Sequence, residues 1–300
     1  MSAQPIASPS LPKAIDAELS QFASPRAGRL AYYSDTGTGG RPLLLIHSIN
    51  AAPSSREMQP LFDQYRAQRP VYSLDLPGFG QSERGERPYS PELYAAAIGD
   101  MLAHIGDEPI DVLALSLSAE FAARAALTAP ARIASLVLIS PTGFSRRPLP
   151  PPAVGRIAHG VLSAPGLSAG LFGLVSSRGS IRFYLGKSFN DAAPEALVDY
   201  AYRTSHQPGA RHAPLMFLST QLFTANAFDR LYRPLTELPV LAMADRDPYV
   251  SFERLPEMIA SNANWQYERP APHMGMPQWE QPEATFAVLD RFWAGVADVG

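Results

Sequence analysis

The chain has 300 residues, a length that suits one large domain or a core domain with an insertion, and 46% of them are apolar, ample for a buried core. Charged residues make up 18%, too few for a wholly disordered chain, and 25 basic against 28 acidic residues give −3, which points to neither nucleic acid nor an acidic membrane surface. There is no cysteine, which excludes disulfides, a thiol nucleophile and thiolate metal sites.

Residues 1–25 are rich in Pro, Ser and Ala, lack the apolar and basic regions of a leader, and are expected to form a loosely attached tail. From about Gly28 the elements alternate. RLAYYSD is a short strand, TGTGG a turn, and PLLLIH (42–47) a strand apolar on both faces. SSREMQPLFDQYRAQ reads as a helix, with Ser54 and Glu57 forming an S-x-x-E capping box. PVYSLDL (70–76) is the next strand and PGFGQS a Gly-rich loop; Ser90-Pro91 then opens a helix, Ser at its cap and Pro at its first position. DVLAL (111–115) is a strand, AEFAARAAL a helix, and ASLVLIS (134–140) a strand. Much later come strands PVLAMA (239–244) and NWQYER (264–269), and a helix PEATFAVLDRFW (282–293).

Strands alternating with helices predict an α/β fold with a mostly parallel central sheet and helices on both faces. The alternation breaks between about Arg146 and Asp229, where clustered prolines precede apolar, helix-like pieces. We therefore expect a core over 26–145 and 230–300 and a helical insertion over 146–229. No run approaches the ~18 apolar residues of a membrane span, so the default expectation is a soluble cytoplasmic protein.

Chemistry concentrates in IDVLALSLSAEFA (110–122). A sharp strand-to-helix turn presents a side chain at the mouth of a sheet only if the residues two before and two after it are small. Ser116 is flanked by Ala114 and Ser118, both small; Ser118 is flanked by Ser116 and Glu120, and Glu120 is too large. Ser116 is thus the better nucleophile candidate, with the Leu117 N–H beside it at a helix N-terminus where an oxyanion is stabilised. From this stretch alone, a plain helix cap is an equally good reading of Ser116.

Over roughly residues 28–295 the sequence resembles the α/β-hydrolase superfamily. LLLIHS is similar to its strand ending in His-Gly, SLDLPGFGQSE to its D-x-P-G-x-G-x-S segment, and IDVLALSLSAEFA lies where its nucleophile elbow lies. LVLISP resembles the strand before the family's lid, MADRDPYV the segment carrying its acid, and HMGMPQWEQPE its terminal histidine loop. The resemblance implies a Ser-His-Asp triad of Ser116, Asp247 and His273, with Asp245 the runner-up acid, and makes 146–229 a lid. The sequence departs from the family at Ser48, which stands where the family has Gly, and at the terminal loop: counting back from Glu280-Gln281-Pro282 lands on Gly275, which cannot take a proton, so a two-residue insertion after His273 is assumed.

The oxyanion hole is expected from Ser48 or Ile49 with Leu117, and the pocket from Asn50, Leu115, Phe172, Phe217 and Met274. The reading is a cofactor-independent, metal-free serine hydrolase acting on small hydrophobic esters or related carbonyl compounds. Carbon–carbon bond hydrolysis and acyl transfer on the same triad stay open, as does a non-catalytic ligand-binding protein on this fold.

Overall fold

The computed structural model describes residues 11–164 and 166–297. Its centre is an eight-stranded sheet, formed by β1 (Glu18–Ser24), β2 (Gly28–Asp35), β3 (Leu43–Ile46), β4 (Val71–Asp75), β5 (Ile110–Leu115), β6 (Ile133–Ile139), β7 (Val240–Met243) and β8 (Trp265–Glu268). The spatial order is β1-β2-β4-β3-β5-β6-β7-β8. The first two strands run antiparallel to their neighbours and the pairs from β4 through β8 are parallel, the mostly parallel α/β fold expected.

The central strands are short apolar runs because both faces are covered. Alternate side chains serve opposite cores: Leu44, Ile46, Val112 and Ala114 join one cluster, and Leu43, Leu45, Leu113 and Leu115 the other. Each such leucine is fully buried, worth about 1.5–3 kcal/mol relative to exposure.

The helices are α1 (Gln59–Tyr65), α2 (Pro91–Ile105), α3 (Ser118–Thr128), α4 (Pro152–Leu162), α5 (Leu167–Val175), α6 (Arg178–Gly186), α7 (Glu195–Ser205), α8 (His212–Leu218), α9 (Leu255–Ser261), α10 (Pro277–Glu280) and α11 (Pro282–Ala297). Helices α4 to α8 lie between β6 and β7, in the stretch where the alternation breaks. Helix α2 starts as its sequence directs: Ser90 accepts the Leu93 N–H and Pro91 follows. Among the described residues no single helix is long and apolar enough to cross a membrane.

Three local expectations need correction. The tail expected over 1–25 is packed from Leu11 on: β1 pairs with β2 along its whole length, Ala14 and Ile15 are buried, and the Tyr200 hydroxyl donates to Pro12 O at 2.9 Å; residues 1–10 lie outside the described residues. The single helix expected after Ser54 divides into a 3-10 turn over Ser55–Met58 and α1. The capping box does not close. Ser54 accepts the Arg56 N–H, but the Glu57 carboxylate turns away to Ser48, nine residues earlier.

Candidate active site

The parallel strands place their carboxyl ends on one edge of the sheet. The chain reverses its direction of strand addition between neighbours β3 and β5, the crevice where open α/β sheets bind ligands. His47 follows β3, Ser116 follows β5, Asp247 lies beyond β7 and His273 beyond β8. All the triad candidates thus sit at one end of the sheet.

Ser116 is the first residue of the two-residue turn between β5 and α3 and has φ 58°, left-handed backbone that a residue with a β-carbon rarely adopts. Its N–H continues the ladder to Ile139 O at 2.8 Å, and its carbonyl accepts the Ala119 N–H at 3.1 Å. Ala114 and Ser118 have no exposed surface at all, so larger flanks would not fit. The two serines differ in kind: Ser118 is buried and donates to His47 O at 2.5 Å, whereas Ser116 is half-buried. The Ser118 bond also binds the β5 turn to the β3 loop.

That β3 loop is fastened from within. His47 is buried, donates from Nδ1 to Ser48 O at 2.6 Å and accepts the Leu76 N–H at Nε2 at 3.0 Å; burial lowers its pKa, which suits the neutral ring this pairing requires. Glu57 accepts the Ser48 N–H at 2.8 Å, the Ser48 hydroxyl at 3.0 Å and Asn50 Nδ2 at 3.0 Å. Both donors of Ser48, expected at the oxyanion hole, are therefore committed to Glu57, and Asn50 is part of the same network. The N–H groups of Ile49 and Leu117 have no acceptor among the described residues.

His273 is fully buried and its Nε2 has no partner among the described residues. Its Nδ1 donates to the Met274 carbonyl and its N–H to Asp245 Oδ2 at 3.1 Å. Burial lowers the imidazole pKa, against opposing pulls from the Met274 carbonyl, Asp245 and Glu280. Donation from Nδ1 leaves the Nε2 lone pair free, the tautomer a general base needs.

The described residues contain no hydrogen bond from His273 to Ser116 or to Asp247. The Asp247 carboxylate faces Gly275: Oδ1 accepts the N–H groups of Tyr249 at 2.7 Å and Val250 at 3.0 Å, and Oδ2 lies 2.6 Å from where a β-carbon on Gly275 would stand. The acid thus addresses the position reached by counting back from Glu280, and burial raises its pKa.

A cavity of about 970 Å³ opens beside the elbow. Ser116 is not in its wall. The nearest lining residues are Thr142, whose N–H reaches toward Ser116 O at 3.5 Å, and Glu120. Glu120 is buried, accepts from the Thr142 hydroxyl at 2.5 Å and the Thr224 N–H at 2.7 Å, and burial pushes its pKa up to about 7. Leu149, Phe223, Tyr249 and Val250 supply apolar wall. Of the pocket residues expected from sequence, Leu115 and Phe172 are buried, Phe217 packs on Phe223 at 5.7 Å between ring centres, and Met274 donates its N–H to Glu280 at 2.7 Å. None of them lines this cavity. Glu120 went unassigned in the sequence, although a lone carboxylate in an alanine-rich helix was a visible signal.

The Gly-rich PGFGQS loop is filled by its own protein. Gly80 has φ 53°, and a β-carbon there would stand 2.0 Å from the carboxyl carbon of Asp75, which holds the N–H groups of Ser55 and Gln81 at 2.8 Å each. Among the described residues no cluster of three or more His or carboxylate ligands fits a metal.

The family model for the alpha/beta hydrolase family matches residues 43–288. The chain is 30% identical over 165 residues to the 2-hydroxy-6-oxononadienedioate/2-hydroxy-6-oxononatrienedioate hydrolase 2 of Pseudomonas putida, covering 50% of this chain and 55% of that protein. It is 32% identical over 121 residues to the dihydrolipoyllysine-residue acetyltransferase component of the acetoin cleaving system of Cupriavidus necator, covering 37% of this chain and 29% of that protein. The chain thus spans little more than half the length of one of these curated relatives and less than a third of the other. A serine hydrolase involved in carbazole degradation superposes with a TM-score of 0.73 at 15% identity, over 92% of this chain and 99% of that one, a likeness of fold. With the elbow turn, the strand order and a family match running from β3 into α11, the chain belongs to the alpha/beta hydrolase family.

Proposed function

We propose that the protein is a serine hydrolase of small hydrophobic esters or related carbonyl compounds, with Ser116 as nucleophile and His273 as base. The observation that carries this reading is the elbow: a serine in left-handed backbone, flanked by buried small residues, with two unclaimed N–H groups, those of Ile49 and Leu117, on the adjoining turns. Ser116 Oγ attacks the substrate carbonyl carbon while His273 Nε2 takes its proton. The oxyanion is held by the Ile49 and Leu117 N–H groups. Collapse expels the alcohol, which receives the proton from His273. Water, deprotonated by the same nitrogen, then releases the acid and restores Ser116.

Asp247 is the proposed acid. Forming its bond to His273 requires Nδ1 to exchange the Met274 carbonyl for Asp247 Oδ2, a turn of the loop that Gly275, with no side chain in the way, permits. Helices α4 to α8 form the proposed lid, whose apolar residues, Phe172, Leu215 and Phe217 among them, support a hydrophobic substrate. Hydrolysis of a carbon–carbon bond on the same residues is supported by the identity with the Pseudomonas putida hydrolase. A non-catalytic binding role is the second reading, favoured by the orientation of Asp247 toward Gly275.

The test is hydrolysis of p-nitrophenyl esters of increasing chain length by the wild type and Ser116→Ala, with fluorophosphonate labelling alongside. Turnover lost by about 10⁴–10⁶ in the variant, and label on Ser116, are expected. Equal turnover by both proteins overturns the assignment of Ser116. Neither turnover nor labelling leaves the binding reading.

A further inference from the structure

Helices α4, α5 and α6 each expose large apolar side chains that nothing covers among the described residues. Ile157 and Leu174 are each 70% exposed, Phe183 58%, Val161 56% and Val154 52%. Val154, Ile157 and Val161 recur at the three- and four-residue spacing that lines one face of a helix. Gly155 is the one buried residue of α4, set against Ser219 O. Single exposed apolar residues need no explanation, but three successive helices that each present large ones do.

Charge separates the candidate partners. From Pro141 to Asn190 the sequence has six basic residues, Arg146, Arg147, Arg156, Arg178, Arg182 and Lys187, and no acidic one, in a chain of net charge −3. Arg146, Arg178 and Arg182 pair with Glu257, Asp199 and Glu195 of neighbouring elements. Arg147, Arg156 and Lys187 have no carboxylate partner among the described residues, and the Lys187 ammonium rests over the Phe183 ring at 4.5 Å. A second copy packing on this face by two-fold symmetry would bring the unpaired cations together. A bilayer with anionic headgroups takes both features at once: apolar side chains enter the acyl boundary while Arg and Lys meet phosphate.

From this juxtaposition we propose that α4, α5 and α6 form a docking face for an anionic lipid surface, reached by insertion of Val154, Ile157, Val161 and Leu174 and held by Arg147, Arg156 and Lys187. The face adjoins the cavity: Pro152, Gly155 and Arg156 of α4 line it, as does Arg147 just before the helix. Docking therefore brings the cavity mouth to the membrane boundary, where apolar ligands partition. The proposal goes beyond the catalytic reading and does not need it: a protein with no turnover docks equally well.

The experiment is flotation of the full chain with vesicles of phosphatidylglycerol and phosphatidylcholine, against vesicles of phosphatidylcholine alone. Binding to the mixed vesicles only is expected. Ile157→Asp and Leu174→Asp should each abolish it, and Arg147→Gln and Arg156→Gln should each weaken it about fivefold, with loss in high salt. Both aspartate sites are exposed, and far-ultraviolet circular dichroism with a thermal melt verifies that each variant is folded. Failure to float with mixed vesicles overturns the proposal, as does equal binding to both vesicle types or undiminished binding by both folded aspartate variants. A dimer in sedimentation velocity that Ile157→Asp dissolves, with no vesicle binding by the wild type, also overturns it and assigns the face to a second copy.

Discussion

Replacing Glu57 with Gln should remove part of the pH dependence of stability. Glu57 is 5% exposed and accepts three hydrogen bonds from Ser48 and Asn50, with no cation against it among the described residues. Burial pushes its carboxyl up from an ordinary 4.5 to about 7, the hydrogen bonds opposing. Between those values the unfolded chain has shed a proton that the folded protein keeps. Its contribution is therefore fully present below 4.5 and is lost as pH rises through about 7. At 1.36 kcal/mol per unit the loss is about 3 kcal/mol. Gln has no proton to lose. It keeps one acceptor for the Ser48 N–H but presents a donor at the other position, a cost of about 1–2 kcal/mol that does not vary with pH. Glu120, raised in the same way, cancels in the difference between the two proteins. Urea unfolding of both at pH 4.5 and pH 8 should show the difference shifting by about 3 kcal/mol in favour of Gln at the higher pH. A difference constant to within about 1 kcal/mol would refute a carboxyl held protonated by burial.

Asp247→Asn separates two ways of orienting His273: if Nδ1 comes to exchange Met274 O for the carboxylate, turnover of the ester series should fall by about 10⁴, whereas an unchanged rate leaves the main-chain carbonyl as sole orienter. Because burial lowers the His273 pKa, the base stays neutral to below the ordinary histidine value, so the acid limb of kcat/KM that disappears in His273→Gln should lie below pH ~6.5. Asp111 is buried with Arg69 and Arg41 against it and takes the Ser135 hydroxyl at 2.6 Å; Asp111→Ala should cost about 3–5 kcal/mol, read as a lowered denaturation midpoint.

The sequence by itself determined the alternation of strands and helices, the mostly parallel sheet and the sharp turn at Ser116. Each rests on short-range patterns: continuous apolar runs that need cover on both faces, Pro at the first turn of α2, and side chains small enough at 114 and 118 to let the chain reverse. What only the tertiary structure decided is which groups meet across the fold. Glu57 fits a capping box by spacing, yet its carboxylate serves Ser48 because the β3 loop brings unpaired donors into its buried site. Residues 11–14 read as part of a tail, yet they are held by Arg56, Gln81 and Tyr200, all distant in sequence. The resemblance pairs Asp247 with His273, while the segments after β7 and β8 set the acid against Gly275 and the imidazole on Met274 O. The net charge of −3 likewise conceals a stretch of fifty residues with no acid, whose cations matter only once α4, α5 and α6 expose their apolar faces beside them. Spacing encodes what neighbouring residues impose on one another; the partners of a buried carboxylate, a terminal arm or an exposed helix face are fixed by packing between segments that the sequence holds far apart.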